Sequence, residues 1–468
     1  MCNYKLLPFT FRYLATIDKV LLSNINGNFC FLDDMSQLDN LVKNDFDKID
    51  KDVLDRLLAN NLIAEEDELD SKINLMATNY ATSINETLYG SLLILIIPTL
   101  RCDHDCGYCQ VSRVSPTASG YDASFNDIGL IISHLKKIDT PSLKIEFQGG
   151  EPLLNKAYIK QFYNLAIKKL GSETCFVVCS ALGPLDSDFI GWCKGKNITF
   201  STSLDGIEKT HIKNRVAKEF NSYQNTVKGI RYIQKELGYD KVNALATVTR
   251  ESLLNPHGLI DEYVDLGFEN VFLRPLSPLG FAYKNQGIEY TPEMYMDFYK
   301  KCMEHIFEIN RTKPFSEETA VIYLKKILFP TLSGYVDLQS PSGLLLNALV
   351  FNYDGNVFGS DETRMLWEMT GNPELVAGNI KSEILNPIND VSINLLADTF
   401  LTCSPGCEDC AYQSYCGADP LYHLATQGDH VGDKAVSDYC KLQRYLFDYF
   451  FELLNDVKKR EVILKWLT

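Results

Sequence analysis

Apolar and polar positions follow two rhythms along this chain. Near the start, Lys19-Val20-Leu21-Leu22 runs into Asn24-Ile25-Asn26-Gly27 and then Phe29-Cys30-Phe31-Leu32. Aliphatic and aromatic runs on either side of an Asn/Gly turn predict a β-hairpin. Two amphipathic stretches, about Ser36–Lys43 and Asp50–Asn60, predict short helices. The acidic run from Glu65 to Asp70 then predicts a boundary, so residues 1–85 read as a small separate unit.

From Leu92 the rhythm changes to strand alternating with helix. The apolar runs Leu92–Leu100, Lys144–Phe147, Cys175–Cys179, Ile198–Leu204, Val242–Val248 and Val271–Leu273 predict strands. The stretches Phe125–Lys137, Lys156–Leu170, Tyr223–Leu237 and Leu259–Leu266 predict helices between them. Such repeats predict an α/β fold with a parallel sheet and right-handed crossovers, curved into a partial (β/α)6 barrel of TIM type over 90–325. Its functional groups belong at the carboxyl ends of the strands. Beyond about residue 330 the pattern changes again. Strand-like pieces (Leu344–Phe351, then Val357-Phe358 after the turn Asp354-Gly355) precede a cysteine-rich segment, giving a unit over 335–440. A helix over 441–468 carries Leu442, Tyr445, Leu446, Tyr449, Phe450, Leu453 and Leu454 at helical spacing, a packing stripe.

Composition narrows the function. The chain has 468 residues, and Lys+Arg 45 against Asp+Glu 61 gives a net charge of −16. That balance disfavours nucleic acid, whose backbone demands clustered cations, and suits a cationic or neutral partner. The N-terminus lacks a secretory pattern, and the longest apolar run, Leu92 to Ile97, is far below the ~20 residues of a membrane span, so a cytoplasmic protein without membrane contact is expected. In a reducing compartment, 14 cysteines point to metal or redox chemistry rather than disulfides. Cys2, Cys30, Cys175, Cys179, Cys193 and Cys302 are scattered, and most of them read as small buried apolar residues.

Cys102, Cys106 and Cys109 follow the first barrel strand with C-x3-C-x2-C spacing. Three thiolates in this pattern suit one face of a cubane iron–sulfur cluster and leave an iron open for chemistry. Zinc, with His104 or a remote residue as fourth ligand, is the alternative. The second strand ends in Gly149-Gly150-Glu151-Pro152. Glycines there permit close approach of a ligand to the backbone, and Glu151 offers an anion to an ammonium group.

At this point the chain resembles the radical SAM superfamily, through the cysteine spacing and the aromatic Tyr108 before the last cysteine. The resemblance covers about 90–310 and implies a [4Fe–4S] cluster on Cys102, Cys106 and Cys109, with S-adenosylmethionine (SAM) chelating the open iron. It implies that Glu151, after Gly149 and Gly150, contacts the SAM amine. Ser203, in Ser203-Leu204-Asp205-Gly206, and Arg215 become candidates for the SAM ribose or carboxylate. Ser180-Ala181-Leu182-Gly183 stands where relatives often have Thr-Asn-Gly, which removes one expected polar contact. The implied reaction is reductive cleavage of SAM to methionine and a 5′-deoxyadenosyl radical, which abstracts hydrogen from substrate; the protein positions substrate and excludes water.

Cys407-x2-Cys410-x5-Cys416, followed by Cys440, supplies four thiolates, enough for a second [4Fe–4S] cluster or a structural zinc. The spacing resembles the SPASM extension of peptide-modifying radical SAM enzymes, which commonly holds two auxiliary clusters. Here Ser342, Ser360 and Pro420 occupy or adjoin positions where that extension carries cysteine. The expectation is one auxiliary cluster, with Cys403 left over. Asp361 matches the aspartate that serves as base in sulfatase-maturing relatives.

Over its whole length the chain looks most like the His-Xaa-Ser system radical SAM maturases. The segments that carry this are Leu6-Leu7-Pro8-Phe9, Leu22-Ser23-Asn24, Leu273-Arg274-Pro275-Leu276-Ser277-Pro278, and Tyr415-Cys416-Gly417-Ala418-Asp419-Pro420. The resemblance implies a ribosomally made precursor peptide with His-Xaa-Ser repeats, a second radical SAM protein, a small accessory protein, and an electron donor such as flavodoxin or ferredoxin. The N-terminal unit is similar to winged-helix domains that bind leader peptides, with a simple barrel cap as the alternative. Other chemistries stay open: formylglycine or thioether formation, or a SAM-binding scaffold that supports a catalytic partner.

Overall fold

The expected N-terminal hairpin forms: Lys19–Ser23 pairs antiparallel with Phe29–Leu32, and Thr10–Leu14 adds a third strand on the other side of Lys19–Ser23. The computed structural model describes residues 4–88, 90–138, 140, 142–285, 287–330, 335–342, 346–382 and 390–467; Cys2 and Leu344 lie outside them. Val20, Leu22, Cys30 and Leu32 point from one face of this sheet into a core of their own. Leu38 and Leu41 of helix Met35–Val42 and Val53 and Leu57 of helix Lys51–Ala59 complete it. Asp34 starts the first of these helices by accepting from the Ser36 and Gln37 N–H groups, as an N-cap should.

The acidic run does not end the unit in a linker. After strand Ile63–Glu65 it makes a tight turn, Glu66–Glu68, and opens a helix, Leu69–Leu88. Acidic residues ahead of a helix favour its positive N-terminal end, so the same charges read as a helix start.

Six parallel strands then stand side by side in chain order: Leu92–Thr99, Leu143–Gly149, Cys175–Cys179, Ile198–Ser203, Val242–Thr247 and Leu273–Arg274. Alternation sorts their side chains. Ile145, Phe147, Phe176, Val178, Ile198 and Phe200 face the surrounding helices in the main core. Glu146, Gln148, Val177, Cys179, Ser201 and Ser203 occupy the opposite, inner face and are half-buried. The sixth strand is split: Asn270–Val271 pairs with Ser316–Glu317, whereas Leu273–Arg274 pairs with the fifth strand.

The C-terminal segment is not detached from this sheet. Ala348–Phe351 pairs in parallel with Leu93–Ile96 of the first strand, and Asn356–Phe358 and Gly378–Asn379 continue outward. An open barrel leaves the N–H and C=O groups of its first strand unpaired on one side, and this addition satisfies them. Leu95, Ile97, Val350 and Phe358 pack over the seam. The final amphipathic stripe belongs to helix Asp438–Asn455, where Tyr449 and Phe450 meet Tyr299 and Tyr323 of the barrel helices. On another side of the same helix Phe451 lies edge-on to Phe29 and Phe31, which joins the N-terminal sheet to the barrel.

Candidate active site and cysteine centres

Cys102, Cys106 and Cys109 lie in the loop that leaves the first barrel strand, at the carboxyl end where a site belongs. The loop is tied to its neighbours through backbone. Cys102 N–H donates to Val114 O (3.0 Å), Asp105 N–H to Val216 O (2.6 Å) and Phe281 N–H to Cys109 O (2.7 Å). All three thiols are free of disulfides. Burial raises the Cys102 and Cys109 thiols and pushes Cys106 up to about 12, opposed by the charge of Arg215 at Cys106. Their protons must leave when metal binds, as is general for thiolate ligands.

The donors around these sulfurs suit an iron–sulfur cluster. His104 N–H reaches Cys102 Sγ (3.5 Å), and the Val111 and Arg113 N–H groups donate to the Cys109 sulfur. Hydrogen bonds to sulfur and nearby positive charge are what tune such clusters. The zinc alternative centres on His104, whose Nδ1 is engaged by Asp103 Oδ1 at 2.7 Å and whose Nε2 is buried without a partner among the described residues.

Beneath the loop, Tyr108 OH donates to Asp205 Oδ2 (2.8 Å) and accepts from Arg215 Nη1 (2.6 Å). Asp205 is fully buried and also takes the Thr247 N–H. Arg215 thus supplies the countercharge that a buried carboxylate requires. The structure therefore bonds Tyr108 directly to Arg215 and, through the same hydroxyl, to Asp205, a residue that sequence reading passed over inside the Ser203–Gly206 motif. Ser203 itself ends the fourth strand on the inner face.

Gly149 and Gly150 make a close approach possible, and the partner is the chain's own backbone. A Cβ at Gly149 would lie 2.4 Å from Thr99 O, and one at Gly150 would lie 2.3 Å from Arg101 O. The two glycines press the second strand against the cysteine loop, with Glu151 N–H donating to Arg101 O (2.7 Å). Glu151 is completely buried. Its Oε1 accepts from Leu153 N–H (2.9 Å) and Ser180 Oγ (2.7 Å), and its Oε2 from Ala181 N–H (2.8 Å). Burial, with Asp103 nearby, lifts its carboxyl to about 7 despite these donors. Ser180 and Ala181, at the departure from Thr-Asn-Gly, are thus spent on fixing Glu151.

On the inner face, Lys144, Gln148 and Cys179 surround Glu146, with Lys144 Nζ at 2.6 Å and Cys179 Sγ at 3.8 Å. Asp361 approaches from the added C-terminal hairpin as the first residue of helix Asp361–Thr370, which Ser360 caps by accepting from Thr363 N–H. Asp361 Oδ1 accepts from Nε (2.8 Å) and lies 2.7 Å from Nη2 of Arg364, a guanidinium with no exposure. Arg364 was not singled out in the sequence; its signal is the i, i+3 spacing from Asp361.

The second cysteine set is assembled from two places. Cys407, Cys410 and Cys416 come from one looped segment, and Cys440 from the first turn of helix Asp438–Asn455, capped by Ser437. Cys407, Cys410 and Cys440 all act electrostatically on Cys416, so the four thiols share one locality. Lys434 adjoins Cys407 and Cys440, and Arg444 adjoins Cys410 and Cys440. Four thiolates with cations and a helix N-terminus beside them fit a negatively charged cluster. Cys403 is exposed.

Comparison with known proteins agrees with this geometry. No curated protein sequence matches the chain. Among solved structures, native anSMEcpe with bound AdoMet has a TM-score of 0.64 at 16% identity, covering 79% of this chain and 99% of that one. SuiB of Streptococcus suis bound to precursor peptide SuiA has a TM-score of 0.54 at 13% identity, covering 92% of this chain and 98% of that one. At these identities the likeness is one of fold. Residues 96–274, which contain all three cysteines of the first loop, match the profile of the Radical SAM superfamily. Those residues therefore carry a radical SAM domain, the domain of enzymes that perform radical redox chemistry, which implies a [4Fe–4S] cluster and SAM.

Proposed function

We propose that the protein is a maturase that modifies a ribosomally made precursor peptide of the His-Xaa-Ser repeat type, cross-linking its side chains after hydrogen abstraction. The observation that carries this reading is the four-thiol centre built onto both the barrel and the N-terminal sheet. Its loop accepts Ser23 Oγ at Ala411 O (2.6 Å), and its Tyr415 OH donates to Gly27 O (2.9 Å). Solved structures of similar fold include SuiB with its precursor peptide and anSMEcpe with a peptide, Cp18Cys. The N-terminal unit adds a docking edge: strand Thr10–Leu14 has one side unpaired among the described residues, with Phe11 and Tyr13 exposed beside it. An extended leader peptide would pair there as an added strand. The seven cysteines would hold the SAM-binding cluster and one auxiliary [4Fe–4S] cluster.

When bound, SAM supplies the radical that removes hydrogen from substrate. The chain's own work is placement. Tyr108, Asp205 and Arg215 fix the cysteine loop, and Glu151 holds the second strand end to the third. Glu146 and Asp361 place carboxylates on the inner face, which suit a His-bearing substrate. Arg364 holds Oδ1 of Asp361 and leaves Oδ2 to accept a proton from substrate. The neighbouring proteins would be a second radical SAM protein, a small accessory protein and a flavodoxin- or ferredoxin-type electron donor, in a cytoplasmic setting. No helix among the described residues is long and apolar enough to cross a membrane.

The test is anaerobic co-expression with a precursor encoded nearby, read by mass spectrometry. A loss of roughly two hydrogens per cross-link supports the proposal. Formylglycine or thioether products replace it with another SPASM chemistry. A reduced, reconstituted protein that releases no 5′-deoxyadenosine from SAM leaves only a scaffold role.

A further inference from the structure

A small cleft lies where three parts of the chain meet: the N-terminal hairpin tip, helix Leu69–Leu88 with barrel helix Glu318–Leu328, and the loop of the second cysteine centre. Most of the side chains that line it carry a hydroxyl or an amide, Ile25 and Pro330 are apolar, and Lys326 is the one cation among the lining residues. Among the described residues no carboxylate pairs with Lys326, and burial alone lowers its amine. A half-buried ammonium without a counter-ion is costly unless a ligand supplies one. Asn79 and Ser83, at i and i+4 on one face of helix Leu69–Leu88, line the same cleft with no side-chain partner among the described residues. Asn26 also lines the cleft, and its Oδ1 is buried without a partner among the described residues. The fourth wall is Gln413, whose Nε2 donates to Cys407 O at 3.1 Å and so belongs to the second cysteine loop.

This set combines one cation, neutral donors and a spare acceptor in one cleft. We propose that the cleft is a binding site for a carboxylate-bearing peptide segment, with Lys326, Asn79 and Ser83 taking the carboxylate and Asn26 Oδ1 taking a peptide N–H. The protein's charge of −16 repels acidic chains in general, so a local cation at the junction is what makes such a segment bind here and not elsewhere. The identity of the ligand as peptide rests on the maturase reading; the carboxylate site does not.

The probe is a short peptide of alternating Glu and Ser with both termini blocked, titrated calorimetrically into the full reconstituted chain. Its Gln counterpart and inorganic phosphate serve as comparisons. We expect the Glu peptide to bind, the Gln peptide to bind about tenfold or more weakly, and Lys326→Met to lose a similar factor, because a charge-assisted hydrogen bond of ~1.5–3 kcal/mol is removed. Lys326→Arg keeps the charge and retains binding, which guards against a folding defect in the Met variant. Equal binding by the Met variant, or by the Gln peptide, overturns the proposal. Phosphate that binds as tightly as the Glu peptide and displaces it also overturns it, leaving an ion site only. Release of 5′-deoxyadenosine from SAM is measured separately. Its loss with Glu-peptide binding intact counts against the maturase reading and not against this site.

Discussion

The two cysteine centres solve one problem, holding buried thiolates, by different constructions. The first takes its three cysteines from eight consecutive residues, Cys102 to Cys109, at the end of one strand. Its stability is that of the barrel mouth: Gly149 and Gly150 press a neighbouring strand onto it, and a buried guanidinium–phenol–carboxylate chain runs beneath. The second draws Cys407, Cys410 and Cys416 from a loop and Cys440 from a helix beyond it, and its loop is also the floor of the N-terminal sheet. A local centre of three ligands leaves room for chemistry. On the proposed reading, a dispersed set of four would close on a metal and tie parts of the chain together, so that metal binding there would also be folding energy.

The largest effect that separates them is expected from Cys106→Ala. Iron in the reconstituted protein should fall from about eight to about four atoms per chain, and 5′-deoxyadenosine release should stop, because the centre that binds SAM is lost. Cys440→Ala should remove the same amount of iron, about four, yet preserve 5′-deoxyadenosine release while abolishing peptide modification. If release also stops, the second centre is not separable from the first. About twelve irons in the unaltered protein would refute the single auxiliary cluster, and bound zinc would refute it in another way.

A smaller effect is set by pH at the first centre. The Glu151 carboxyl is raised from 4.5 to about 7 by burial, so between those values the folded state holds a proton that the unfolded chain has released. Stability without SAM should therefore fall as pH rises through this window, by up to roughly 3 kcal/mol, and level off above it. Denaturant unfolding at several pH values measures the slope, and Glu151→Gln should flatten it.

The smallest effect lies where the second centre meets the N-terminal sheet. Arg12 binds Asp448 through Nε (3.0 Å) and Nη2 (2.7 Å), while Tyr412 OH donates to the same carboxylate. With the Arg12 side chain 38% exposed, solvent weakens the pair, and Arg12→Ala should cost about 1 kcal/mol in global stability. Hydrogen exchange should quicken in Thr10–Ser23 before any change appears in the barrel. Equal protection in both regions would show that the N-terminal sheet is held by Phe29, Phe31 and Phe451 instead.

Much of this molecule was readable from residue order. The barrel strands, helix Lys156–Leu170, the N-terminal hairpin and both cysteine groups appear where periodicity and spacing put them. Period-2 alternation and turn chemistry act over a few residues, so one segment contains the whole signal. The sequence also marked Tyr108, Glu151 and Arg215 as functional positions. It could not show that Tyr108 bonds both Arg215 and Asp205, or that Ser180 and Ala181 fix Glu151, because these bonds link residues brought together by separate strands and loops; only the grip of Arg364 on Asp361 is local, at i, i+3 on one helix.

What the sequence alone determined was chemistry: ligand types at fixed spacing, a strand end to carry them, and a strongly acidic chain. What only the tertiary structure decided was who stands beside whom. It made the hairpin after residue 346 an extension of the barrel, since an open sheet edge must find a partner. It turned two glycines into a backbone contact, because at those positions any Cβ would collide with the cysteine loop. And among the described residues it left Lys326 without a carboxylate partner in its cleft, a fact of three converging segments that no single stretch of sequence contains.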